Sequence, residues 1–90
     1  MKQRINAKGK NLIGERLKLL RKDAGLSQRD LAARLQLIGI DMDKNVITRI
    51  ETNQRYVTDF ELQALKDIFQ VSYDYLIDGV EESVKATLPR

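Results

Sequence analysis

Cysteine and histidine are both absent from this 90-residue chain, and proline occurs only once. Without those side chains no disulfide framework, zinc finger, or thiol or imidazole catalysis can be built. No metal site and no cofactor is expected. A glycine-rich phosphate loop and a paired-carboxylate cleft are also missing, which weighs against an enzyme. The apolar runs are a few residues long, far short of a membrane span, and MKQRINAKGKN offers no hydrophobic stretch to act as a signal peptide. The expected location is cytoplasmic. Strand-like alternation and internal repeats are lacking too, so the chain reads as all-α.

What remains is enough for one small domain, since 42% hydrophobic content lets a chain of this length bury a compact core. The net charge of +3 is modest, but it is unevenly placed. Residues 1–11 carry Lys2, Arg4, Lys8 and Lys10 and no acid; residues 12–57 hold nine basic and six acidic side chains; residues 58–90 hold three basic and seven acidic ones. This polarity suits a body whose N-terminal two-thirds face a polyanion while the rest stays in solution or meets a protein partner. The spacing divides the chain into a basic flexible arm (1–11), a folded domain (12–79) and a tail or short helix (80–90).

Five helices are predicted from caps and apolar spacing. The first starts with Asn11 as N-cap and runs to about Ala24, with Leu12, Ile13, Leu17, Leu20 and Ala24 inward and Arg16, Lys18, Arg21 and Lys22 mostly outward; Gly25 stops it. Ser27 and Asp30 form a capping box for the second, which turns Leu31, Ala32 and Leu35 inward. The third begins after Asp43 and buries Val46, Ile47 and Ile50. Thr58 and Glu61 cap the fourth, whose stripe is Phe60, Leu62, Leu65, Ile68 and Phe69; Ser72 caps a short fifth that ends at Gly79. Beyond it, Val80, Val84 and Leu88 make a seam too short to stand alone.

Residues 26–51 carry the chemistry. A helix that reads DNA needs one face locked into the protein and another presenting hydrogen-bonding groups near its N-terminus to the major groove. In the third helix Val46, Ile47 and Ile50 supply the first, and Lys44, Asn45, Thr48 and Arg49 supply the second. Arg49 or Lys44 suits guanine O6 and N7, Asn45 suits adenine, and Thr48 a thymine methyl or a phosphate. Gln28, able to bridge to a phosphate or to the third helix, and Arg29, Gln54 and Arg55 are placed to meet the DNA backbone, which fixes register without reading sequence.

The segments IGERLKLLRKDAGLSQRDLAARL, VITRIETNQR and VSYDYLIDG resemble the lambdoid repressor and Cro-like, or XRE-type, helix-turn-helix transcription regulators over about residues 12–79. The resemblance implies a five-helix lambda-repressor-like DNA-binding domain, used as a homodimer on a palindromic operator. It also implies backbone or base contact for Gln28 and base reading for Lys44, Asn45, Thr48 and Arg49.

Three features depart from that pattern. The connection LQLIGIDM is roughly five residues longer than the usual turn, Asn53 stands where glycine is common after the third helix, and the second domain of larger repressors is not expected. The apolar insertion predicts a second helix extended to Ile38, reversal at Gly39, and Ile40 and Met42 packed on the core, against the alternative of an exposed partner contact. Glu51 is expected to pair with Arg16 or another basic residue of the first two helices. The functional expectation is a sequence-specific regulator of transcription, most simply a repressor, with the basic arm adding salt-dependent affinity. The alternative is an antitoxin or adaptor module whose protein partner meets the acidic C-terminal third.

Overall fold

The computed structural model describes residues 9–80, which form five α-helices: α1 (Gly14–Asp23), α2 (Gln28–Leu37), α3 (Lys44–Glu51), α4 (Asp59–Phe69) and α5 (Tyr73–Asp78). There is no strand among the described residues. Helix α3 lies against both α1 and α2, and α4 packs on α2 and α5. The core between them is built from Ile13, Leu17, Leu31, Leu35, Met42, Ile47, Ile50, Leu65 and Leu76, with Ala32 and Ala64 where helices approach.

Local chemistry sets most helix ends. Ser27 and Thr58 each accept from the N–H three residues on, while Asp30 and Glu61 accept from the cap N–H in return, so both predicted capping boxes form. Asp43 and Ser72 cap α3 and α5 in the simpler one-way manner. Helix α1 departs from expectation: it starts at Gly14, with Ile13 as the N-cap, because the Ile13 carbonyl takes the first helical hydrogen bond, from the Leu17 N–H at 2.8 Å. Asn11 still serves the end from two residues further out, its Oδ1 accepting from the N–H of Ile13 at 3.1 Å and of Gly14 at 2.8 Å.

The long connection resolves into a reversal and a return. Gly39 has φ +87°, its N–H donates to the Gln36 carbonyl, and the Ile40 N–H donates to the Leu35 carbonyl. That pair of bonds is a Schellman ending, which turns the chain back toward the helix it has left. Met42 is fully buried and Ile40 packs on the core, as the apolar insertion predicts. Leu37 and Ile38 stay outside, 85% and 53% exposed.

Four predicted faces need correction. Arg21, expected outward, is 8% exposed, because it lies four residues after Leu17 and shares its buried face. Phe60, expected in the core stripe, is 74% exposed. It is one residue, about 100° of rotation, from Glu61, which takes the inward position to meet Arg55. Leu12 precedes α1 and Ala24 follows it, and both are exposed where they were expected to pack.

Candidate nucleic-acid interface

Helices α2 and α3 present their N-terminal ends beside one open depression of about 440 Å3, lined by Arg21, Ser27, Gln28, Arg29 and Lys44. The capping box at Ser27 puts Gln28 in the first turn of α2, and Asp43 does the same for Lys44 and Asn45 on α3. Lys44, Asn45 and Arg49 are exposed, while Ile47 and Ile50 are fully buried and Val46 is half-buried. The two faces of α3 therefore divide as its sequence predicts except at Thr48, which is half-buried. Among the described residues Arg29, Lys44 and Arg49 have no ion-pair partner; Arg29 and Lys44 line the depression, and Arg49 lies further along the exposed face of α3.

Under this surface lies a polar network that ties three helices together. Arg21 of α1 grips Glu51 of α3 with two parallel bonds, Nε to Oε2 at 2.6 Å and Nη2 to Oε1 at 3.1 Å, and its Nη1 donates to the Leu26 carbonyl at 2.9 Å. Glu51 also accepts from Gln28 Nε2 at 3.0 Å, and the Gln28 Oε1 accepts from the Thr48 hydroxyl at 2.8 Å. The Glu51 carboxylate raises the Arg21 pKa above its ordinary value, through hydrogen bonding first and charge second, against the opposing effect of burial. Two charges this deep are costly to desolvate, and the paired bonds satisfy both.

The expected partner of Glu51 is thus Arg21 and not Arg16. Arg16 instead donates to the Leu76 carbonyl at 3.3 Å and lies 5.7 Å from the centre of the Tyr75 ring, joining α1 to α5. A charged residue spaced four after Leu17 on an apolar stripe was the signal for Arg21: at a core position only a paired charge is tolerable.

A second hub holds the far end of α3. Asn53 takes the left-handed conformation at φ +62°, and the Asn53 and Gln54 N–H groups donate to the Ile50 and Arg49 carbonyls. Asparagine therefore replaces glycine here at little cost. Its side chain adds a second role, donating to Asn11 Oδ1 at 3.0 Å, while Asn11 Nδ2 donates to the Ile50 carbonyl at 3.1 Å and the Arg55 carbonyl at 2.8 Å. Gly14 sits at the crossing: a Cβ there would collide with the Ile50 carbonyl and lie 2.8 Å from Asn53 Nδ2 and 3.1 Å from the Glu51 carbonyl.

The remaining expected backbone contacts fare differently from one another. Arg29 and Gln54 are exposed. Arg55 is engaged by Glu61 through bonds of 2.9 and 3.1 Å and also reaches the Tyr56 carbonyl. Its guanidinium is thus already paired with a carboxylate of the protein. In the expected arm, the Lys10 N–H is bound to the Asn53 carbonyl at 2.9 Å and its ammonium lies 5.6 Å from the Tyr56 ring centre. Lys2, Arg4 and Lys8, like Val84 and Leu88 of the tail, lie outside the described residues.

Among the described residues no helix is long and apolar enough to cross a membrane. Neither the comparison with curated proteins nor that with solved structures gives a match. A helix-turn-helix family model matches residues 17–76, from the first fully buried leucine of α1 to that of α5. Two capped helices joined at residues 38–43, one with a locked face and a free cationic face, and a match over two-thirds of the chain lead to one assignment: the protein belongs to the XRE-type helix-turn-helix family, the lambda repressor and Cro-like group of DNA-binding regulators.

Proposed function

We propose that the protein is a transcriptional repressor that reads a specific DNA duplex with α3 in the major groove and acts as a homodimer. The observation that carries the reading is the outer face of α3, where Lys44, Asn45 and Arg49 are exposed, with no ion-pair partner among the described residues, above a buried Ile47 and Ile50. Arg49 and Lys44 match guanine O6 and N7, and Asn45 matches adenine N6 and N7. Arg29, with Gln54, meets phosphates at the edges of the groove and sets register. Two α3 helices about 34 Å apart would then read two half-sites.

The test is selection of bound duplexes from random DNA with the whole chain, followed by Arg49→Ala on the selected site. A palindromic motif is expected, and Arg49→Ala is expected to weaken binding by about 1–3 kcal/mol and relax one base position. Equal weakening on random DNA would make Arg49 a phosphate contact. No enriched motif would overturn sequence-specific reading and favour a protein-interaction role for the acidic C-terminal third.

A further inference from the structure

We propose that Thr48 meets its base pair only as a hydrogen-bond acceptor, taking the exocyclic amine of adenine or cytosine, because the protein already holds its single hydroxyl hydrogen. This rests on the DNA-reading role proposed for α3. The argument is one of donors and acceptors, and it starts from the buried ion pair. Glu51, gripped by Arg21, is a carboxylate and can only accept. The Gln28 amide 3.0 Å away must therefore turn its NH2 toward Glu51, which points its carbonyl oxygen at Thr48 Oγ1, 2.8 Å off. An amide oxygen can only accept. The other neighbour of Thr48 Oγ1 is the Lys44 carbonyl at 3.0 Å, which is also an acceptor.

One hydroxyl carries one hydrogen, and both protein partners can only accept it, the Gln28 oxygen being the nearer. What Thr48 retains for DNA is lone pairs and a methyl group. A phosphate oxygen, guanine O6, thymine O4 and purine N7 all accept, so a bond to any of them would strip the hydrogen from Gln28 or Lys44. Adenine N6 and cytosine N4 donate and need no such exchange. The phosphate contact that the sequence alone leaves open for Thr48 is disfavoured by this arrangement, since it would cost the bond to Gln28. Charge at Arg21 and Glu51 sets the polarity of readout two side chains away, through the orientation of Gln28.

The test uses duplexes selected by the whole chain and two variants. Thr48→Val keeps the shape and loses the acceptor; Thr48→Ser keeps the acceptor. Thr48→Val is expected to lose about three- to tenfold in affinity through one base pair, the scale of one hydrogen bond, while Thr48→Ser keeps the preference there. At that base pair, purine in place of adenine, or 2-pyrimidinone in place of cytosine, deletes the amine. The deletion should cost the unmodified protein the same factor and Thr48→Val nothing, and 7-deazapurine should cost neither. If deleting N7, O6 or O4 reproduces the loss instead, the hydroxyl donates and the proposal falls. It falls equally if Thr48→Val loses the same factor on random DNA, or matches the unmodified protein at every position. Failure of the unmodified protein to select any sequence would be a different result, removing the DNA-reading role itself.

Discussion

Gly14→Ala should destabilise the protein, although alanine is the better helix former. Gly14 is not among the residues with positive φ, so its backbone places no demand on glycine. In an ordinary helix the substitution would add up to about 1 kcal/mol of stability. Here the new Cβ meets the backbone carbonyls of Ile50 and Glu51 and the Asn53 amide. Carbonyls at the end of a packed helix cannot swing aside as a flexible side chain would, so α1 must retreat from α3. Overpacking of this type costs roughly 1–3 kcal/mol. Retreat also loosens the Asn11 and Asn53 bonds, each worth about 1 kcal/mol. Weighing the terms gives a net loss of about 2 kcal/mol, which for a domain this size lowers Tm by roughly 8–16 °C.

The measurement is thermal and urea unfolding followed by circular dichroism. Gly25 provides the control, since it has φ +73° with open space where a Cβ would stand. Its requirement is conformational, so asparagine, which tolerates the left-handed region, should be accepted at 25 and rejected at 14. A Gly14→Ala protein as stable as the parent would refute the claim that close approach of α1 and α3 dictates this glycine.

Glu51→Ala strands the buried Arg21 guanidinium and should cost about 3–5 kcal/mol by urea unfolding; a loss below 1 kcal/mol would mean that water reaches the site and the pair is not truly desolvated. The Glu61 carboxyl is held below the usual carboxylate range by its bonds to Arg55, with burial opposing and the Thr58 N–H assisting, and the Ser27 N–H lowers Asp30 likewise. A carboxylate lowered by folding stabilises fully above its unfolded value, near 4, and loses that contribution as pH falls through the lower folded value. The urea midpoint should therefore drop between about pH 5 and 2, and Glu61→Gln should flatten the drop; an unchanged profile would remove Glu61 as a cause. Across the long turn, Met42→Ala should cost about 2–5 kcal/mol and Leu37→Lys within about 0.5, because only the first loses core contacts. Equal losses would show that Leu37 is covered in solution.

Much of this protein is written locally. Ser27, Thr58 and Ser72 cap helices because a side-chain oxygen reaches a backbone N–H three residues away, and Gly25, Gly39 and Gly79 end them because they adopt the left-handed conformation readily. Such rules act within one helical turn, so they can be read along the chain. The same holds for the two faces of α3, whose alternation follows from 3.6 residues per turn.

What the tertiary structure decided are the relations between residues far apart in sequence. Arg21 meets Glu51 across 30 positions and Asn53 meets Asn11 across 42; local spacing can mark Arg21 as buried, but it names the partner in neither pair. Asn11 takes up the loop end of α3 as well as the free N–H groups at the start of α1, and Leu12 and Phe60 are left outside because Asn11 and Glu61 take the inward places. The polar face of α3, with Lys44, Asn45, Thr48 and Arg49, was visible in the sequence. The direction of the hydrogen bond at Thr48 was not, because it depends on a charge carried by α1 and relayed through α2. Sequence determines which helices form and which groups they offer; the packing of α1 against α3 determines how those groups are aimed, since only there do buried charges find the partners that make their burial tolerable.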